Sequence, residues 1–93
     1  MHVFSAEFHL HLPSRSLKGK RGIVKSIMAR ARNRFNVAVA EVDLQDVPGS
    51  ALIGFATVAS GRADGRQVLE RLEEWLVAER PDVEVVTVEI EER

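Results

Sequence analysis

The spacing of the apolar residues changes several times along this chain, and these changes limit the folds that it can adopt. In residues 2–12 apolar and polar side chains alternate with a period of two, which is typical of a strand with one buried face. Pro13 lacks an N–H group and ends the strand. From Leu17 the apolar residues recur at helical spacing, which predicts a helix that Ser16 caps and Asn36 ends.

Two further strand patterns follow this helix. Residues 37–44 alternate again, and residues 51–60 are apolar on both parities, as expected for the central strand of a sheet. The segment 45–50 between them contains aspartate, proline and glycine, which are common in turns. These two strands are therefore predicted to form a hairpin.

A second helix and a fourth strand complete the chain. We expect a loop at residues 61–65, with Asp64 and Gln67 forming a capping box for the helix that follows. Apolar residues at helical spacing continue until Pro81, which stops the helix. Residues 83–91 alternate as a last strand.

The predicted element order is β-α-β-β-α-β, and this order favours one architecture. Two right-handed crossovers joined by a central hairpin give an α+β ferredoxin-like sandwich, a four-stranded antiparallel sheet with two helices on one face. With 93 residues the chain is long enough for a single domain, 1–93, with one core.

Composition excludes several classes of protein. The chain has no cysteine, so disulfides, thiol catalysis and cysteine-ligated metals are ruled out. The longest apolar stretch, residues 51–59, is too short for a membrane span, which needs about 20 residues. No signal-peptide pattern precedes the first strand. We therefore expect a cytoplasmic protein that makes no contact with a membrane.

Charge is distributed unevenly, although the formal net charge is only −1. Residues 1–40 carry eight basic side chains and one acidic one, and all eight lie within residues 15–34. Residues 62–93 carry five basic and ten acidic side chains. Such a separation indicates that one end of the fold meets an anionic partner.

Several of these bases gather at the start of the first helix, where the helix dipole disfavours cations by a few tenths to about 1 kcal/mol each. A departure from a local rule without evident compensation points to function, and a helix start with free N–H groups suits phosphate. The predicted contacts to RNA or to another phosphate-bearing partner are Arg15, Lys18, Lys20, Arg21, Lys25 and Arg32. The alternative is a solvated helix, or one whose charge is offset by acids of the second helix such as Glu70, Glu73 and Glu74.

The sheet face that the helices leave open is a second candidate surface. An uncovered apolar sheet face would be a large exposed patch, so we expect a homodimer formed through it. The alternative to RNA binding is therefore a homodimeric interaction or regulatory module that associates through this face and has no nucleic-acid role. The residues predicted for this contact are Val3, Val39, Ile53, Phe55 and Val85. The aromatic and basic pattern with which some sheets of this type stack RNA bases is missing, so this face is not predicted to bind RNA.

Other chemistry is weakly indicated. His9 and His11 share one face of the first strand with Glu7, a set that could bind a divalent metal. Three ligands on one strand are about 6–7 Å apart per step, so Glu41, Asp43 or Glu89 from neighbouring strands would have to help. Histidines that are simply solvated are the alternative. No phosphate loop, nucleophile elbow or zinc-protease motif occurs, so no catalytic residue and no cofactor is predicted.

The basic segment also carries a family resemblance. At Ser16-Leu17-Lys18-Gly19-Lys20-Arg21 and at residues 32–42, RNRFNVAVAEV, the chain resembles the YlxP-like family of small bacterial proteins of unknown function, and residues 9–13, HLHLP, also fit it. The resemblance implies a ferredoxin-like fold and no established catalytic activity. Genes of that family often lie beside those for translation initiation factor two and ribosome-binding factor A, which implies a role near RNA or a ribosomal subunit.

Overall fold

The computed structural model describes all residues, 1–93, and confirms the predicted order of elements. Neither helix is long and apolar enough to cross a membrane. The elements are β1 (His2–His11), α1 (Leu17–Arg34), β2 (Ala38–Asp43), β3 (Ser50–Ala59), α2 (Arg62–Glu79) and β4 (Glu84–Glu92).

The four strands form one antiparallel sheet in the order β2-β3-β1-β4. The two long strands β1 and β3 lie in the centre of the sheet, and β2 and β4 form its edges. This order and the two helices make the fold a ferredoxin-like α+β sandwich.

The core lies between the helices and one face of the sheet. All of the inward side chains predicted from alternation in residues 2–12, from Phe4 to Leu12, are buried. The rings of Phe8 and Phe55 meet edge to face, with centroids 4.9 Å apart. Both helices contribute to this one cluster, α1 through residues such as Val24 and Ile27 and α2 through its leucines. Both helices therefore cover the same face, and the other face stays open.

The start of α1 is organised as the sequence predicts. The Oγ atom of Ser16 accepts a hydrogen bond from the Gly19 N–H at 3.0 Å. A Cβ atom on Gly19 would lie 2.6 Å from the Ser14 Oγ, so the absence of a side chain lets the preceding turn fold back against the helix. No acidic residue lies in the first turn.

The prediction for the start of α2 was wrong. The helix begins at Arg62 with Gly61 as N-cap and no side-chain cap, so residues 62–65 are helical and not a loop. Gly65 is buried, and a Cβ there would lie 2.6 Å from the Phe4 Cδ2. This glycine therefore does not terminate a loop; it lets α2 approach β1 closely.

Two β-bulges change which side chains face the core. One shifts the β1–β4 register between His9 and Leu10, so that Val85 pairs with Leu10 on the helix side and Val86 is exposed. The other lies between Glu41 and Asp43 and leaves Val42 outside the regular β2–β3 pairing. Such irregularities are not visible in a simple period of two.

Candidate functional site

Four exposed basic side chains lie along one flank of α1, and we call them the basic stripe: Lys18, Arg21, Lys25 and Arg32. At 100° per residue these positions fall within about 60° of one another around the helix axis. At 1.5 Å per residue they extend over about 21 Å. Arg15 is also exposed and lies just before the helix.

None of these five bases is neutralised within the fold. No carboxylate oxygen lies within 4.0 Å of any of them, whereas Arg30 of the same helix pairs with Glu79. The three acids of α2 considered as compensation make no ion pair: Glu70, Glu73 and Glu74. The alternative interpretation, that acids of α2 offset the charge of the stripe, is therefore not supported by any direct ion pair.

The prediction that Lys20 contacts an anionic partner was wrong. Its side chain is 1% exposed, its ammonium donates a hydrogen bond to the Leu44 carbonyl, and its Nζ lies 3.0 Å from the Glu41 Oε2. Lys20 is three residues after Leu17 and four before Val24, so it occupies a core position of the helix. The ammonium reaches an internal acid instead of extending to the surface.

This buried contact ties the first turn of α1 to the end of β2. Glu41 points to the helix side of the sheet because it pairs with the inward Ile53. Its Oε2 contacts the ammonium as an ion pair but receives no hydrogen bond. Leu44 has a φ of 62°, an uncommon value for a residue with a side chain, and its carbonyl accepts a hydrogen bond from the Lys20 ammonium. The sequence contained two signals of this contact: Glu41 lies on the inward parity of β2, and Lys20 lies on the apolar stripe of α1.

The predicted self-association surface is largely incorrect. Ile53 and Phe55 are 0% and 2% exposed and face the helices, and Val39 and Val85 pack against the same core. Only Val3 lies on the open face, where it pairs with Val58. Because β3 is apolar on both parities, its pattern could not tell the two faces apart, and the bulge in β1–β4 inverts the assignment of Val85. Dimerisation itself stays a prediction.

The open face has a different composition from the one expected. Small residues of β2 and β3 form an apolar half, with a trough of about 330 Å³. Glutamates of β1 and β4 form an acidic half, in which Glu7 lies directly opposite Glu89. This division depends on which strands are neighbours and which faces their side chains occupy, so alternation along single strands did not predict it, although Gly54 inside an apolar strand was a signal of close approach.

The histidines are placed among acids of β4 rather than around a common point. The rings of His9 and His11 lie 5.5 Å apart, and the His11 Nδ1 is 3.0 Å from the Glu84 Oε1. Glu41, considered as a further ligand, faces the opposite side of the sheet. No group of three histidine, aspartate or glutamate side chains is arranged to hold a metal ion.

One carboxyl group of the sheet has a perturbed pKa of clear origin. The His2 Nδ1 donates a hydrogen bond to the Glu92 Oε2 at 3.0 Å, and Arg62 lies 2.8 Å from the other oxygen. The hydrogen bond from His2, with the positive charge of Arg62, lowers the pKa of Glu92 below its usual value of 4.5. Similarly, the Arg80 guanidinium lowers the pKa of Asp82.

Comparison with known proteins places this fold and its charged helix in a family. Residues 3–90 match the family described as "Protein of unknown function (DUF503)". The chain belongs to this family. It is also similar to the "Uncharacterized protein YlxP" of Bacillus subtilis (strain 168), with 39% identity over 57 residues. That alignment covers 61% of this chain and 62% of the relative. The family of unknown function expected from residues 9–42 is thereby confirmed.

Proposed function

We propose that this DUF503 protein is a non-enzymatic, cytoplasmic RNA-binding protein that contacts phosphate groups through the basic stripe of α1, on RNA or on a ribosomal subunit. The carrying observation is that Lys18, Arg21, Lys25 and Arg32 are aligned, exposed and unpaired. Arginine offers bidentate contacts to phosphate, and lysine offers a point charge.

The position of the stripe adds to this argument. Its first members lie in a helix turn that contains no acid, so the helix dipole and the side chains produce positive potential at the same place. A fold gains no stability from gathering cations there. An anionic partner would convert this unfavourable arrangement into binding energy.

Salt dependence tests the proposal. Four phosphate contacts on a single strand give a slope of log K against log salt of about −3. We expect a labelled single-stranded RNA fragment of ribosomal RNA to bind with that slope in a fluorescence anisotropy titration at several salt concentrations. The double variant Lys18→Glu with Arg21→Glu removes two contacts, so its slope should fall to about −1.4.

A matched variant separates the stripe from overall charge. Arg34→Glu with Arg71→Glu makes the same change in net charge, at exposed and unpaired positions that lie off the stripe. This control should keep the slope near that of the unmodified protein. Binding that does not depend on salt, or an equal loss in both double variants, would reject the stripe as the phosphate-binding surface.

A further inference from the structure

The apolar half of the open sheet face is a shallow trough floored by small side chains. We define the trough by Ala38, Ala40, Gly54 and Ala56 on its floor and Val42 on its wall. A Cβ on Gly54 would lie 2.9 Å from the Val42 Cγ1, so the glycine makes room for that valine over the sheet. Val42 and Val58 are 47% and 51% exposed on this face. The small residues of the floor and the two exposed valines therefore leave apolar surface that a partner could bury.

Beside the trough, three carboxylates form what we call the acidic row: Glu7, Glu89 and Glu91. Glu7 and Glu89 are direct cross-strand partners, and like charges in that arrangement destabilise a sheet. The one nearby base, Arg93, contacts Glu91 at 3.2 Å and donates a hydrogen bond to the Ser5 Oγ. The side chains of Glu7 and Glu89 have no ion-pair partner. This repulsion is a cost that the fold itself does not explain.

We propose that the open face binds an amphipathic helix of another protein, with apolar residues in the trough and lysines or arginines against the acidic row. The charges select this occupant. A second copy of the chain would present the same acidic row, and its open face offers only Arg93 besides its histidines. The opposite face of the same sheet already packs two helices, and a third helix would complete a three-layer sandwich. The proposal does not depend on RNA binding by the basic stripe.

A synthetic helix tests this surface on the intact 93-residue protein. The probe is a fluorescein-labelled 18-residue peptide with leucines along one helical face and lysines on both flanks. The control peptide carries glutamate in place of each lysine. We expect the lysine peptide to bind in a fluorescence anisotropy titration, and the glutamate peptide to leave the NMR resonances of the trough and the acidic row unshifted, whatever it does at the basic stripe. NMR shift changes should be confined to the trough and the acidic row.

Two variants distinguish docking from a structural role. Glu7→Gln with Glu89→Gln removes the repulsion, so stability should rise slightly while the Kd for the peptide increases about tenfold through the loss of two surface ion pairs. Ala56→Leu fills the trough and should weaken binding without affecting the buried core. The matched control, Glu70→Gln with Glu74→Gln on α2, should leave the Kd unchanged.

Several results would overturn the proposal. One is a glutamate peptide that shifts the resonances of the trough and the acidic row as much as the lysine peptide does, and another is an unchanged Kd of the lysine peptide after Glu7→Gln with Glu89→Gln. A peptide that shifts resonances of the helices rather than of the sheet would also overturn it. Sedimentation of the unmodified protein provides a further test. A dimer at micromolar concentration that Ala56→Leu dissociates would show that the occupant is a second copy of the chain.

Discussion

The buried contact between Lys20 and Glu41 offers a quantitative test of how α1 is held against the sheet. Replacement of Glu41 by leucine leaves the ammonium of Lys20, which is 1% exposed, with only the Leu44 carbonyl as a partner. Replacement of Lys20 by methionine leaves a carboxylate whose side chain is 19% exposed and can be partly hydrated. The two changes are therefore not equivalent.

Their magnitudes follow from burial. Removal of one partner from a buried ion pair costs about 3–5 kcal/mol because the other charge stays without compensation. We expect a loss of this size for Glu41→Leu, and about 2–3 kcal/mol for Lys20→Met because the Glu41 side chain is partly exposed, although its Oε2 is buried. The double variant replaces the pair with apolar groups and should lie within about 1 kcal/mol of the unmodified protein.

Urea and thermal unfolding measure these changes. In a domain of this size a loss of about 3 kcal/mol lowers Tm by roughly 12–24 °C, which is easily resolved by circular dichroism. The double-mutant cycle should give a large favourable coupling between the two residues. Single variants that each cost less than about 1 kcal/mol and add independently would refute the reasoning, because both charges would then be hydrated rather than paired.

The same variants separate structure from function. A Lys20→Met protein that stays folded should keep the salt slope of RNA binding that the unmodified protein shows, because the buried ammonium touches no ligand. A reduced salt slope in the Lys20→Met variant would show that Lys20 contacts phosphate after all.

Three smaller effects can be checked on the same fold. Gly65→Ala should destabilise the protein by about 1–3 kcal/mol because the added methyl group collides with the Phe4 ring. Gly22→Ala should stabilise it by about 0.5–1 kcal/mol, because a Cβ atom there meets no side chain within 4 Å. The midpoints of urea unfolding measure both changes. Ser16→Ala removes the cap of α1 and should cost about 1 kcal/mol in the same assay. The lowered pKa of Glu92 means that its contribution to stability is present above pH 4.5 and is lost as the pH falls through the pKa of the folded state. His2→Ala should raise that pKa, as a carboxyl NMR titration would show; an unchanged pKa would contradict the assignment to the hydrogen bond.

The order of the elements and the position of the basic helix could be predicted from the amino-acid sequence alone. Period-two and helical spacing are local properties, and the Ser16 cap involves residues three positions apart. The excess of bases within residues 15–34 is likewise visible in the printed sequence. Their exposure and alignment then follow from helical geometry, except at Lys20.

Only the tertiary structure decided which side chains face inward and which charges meet. β3 is apolar on both parities, so its sequence pattern did not show that Ile53 and Phe55 face the helices. A bulge reversed the side on which Val85 lies. Lys20 and Glu41 are 21 residues apart and meet only once the sheet and helix are packed. Local periodicity determines the secondary structure, whereas facing and pairing depend on contacts between segments that are distant in the chain.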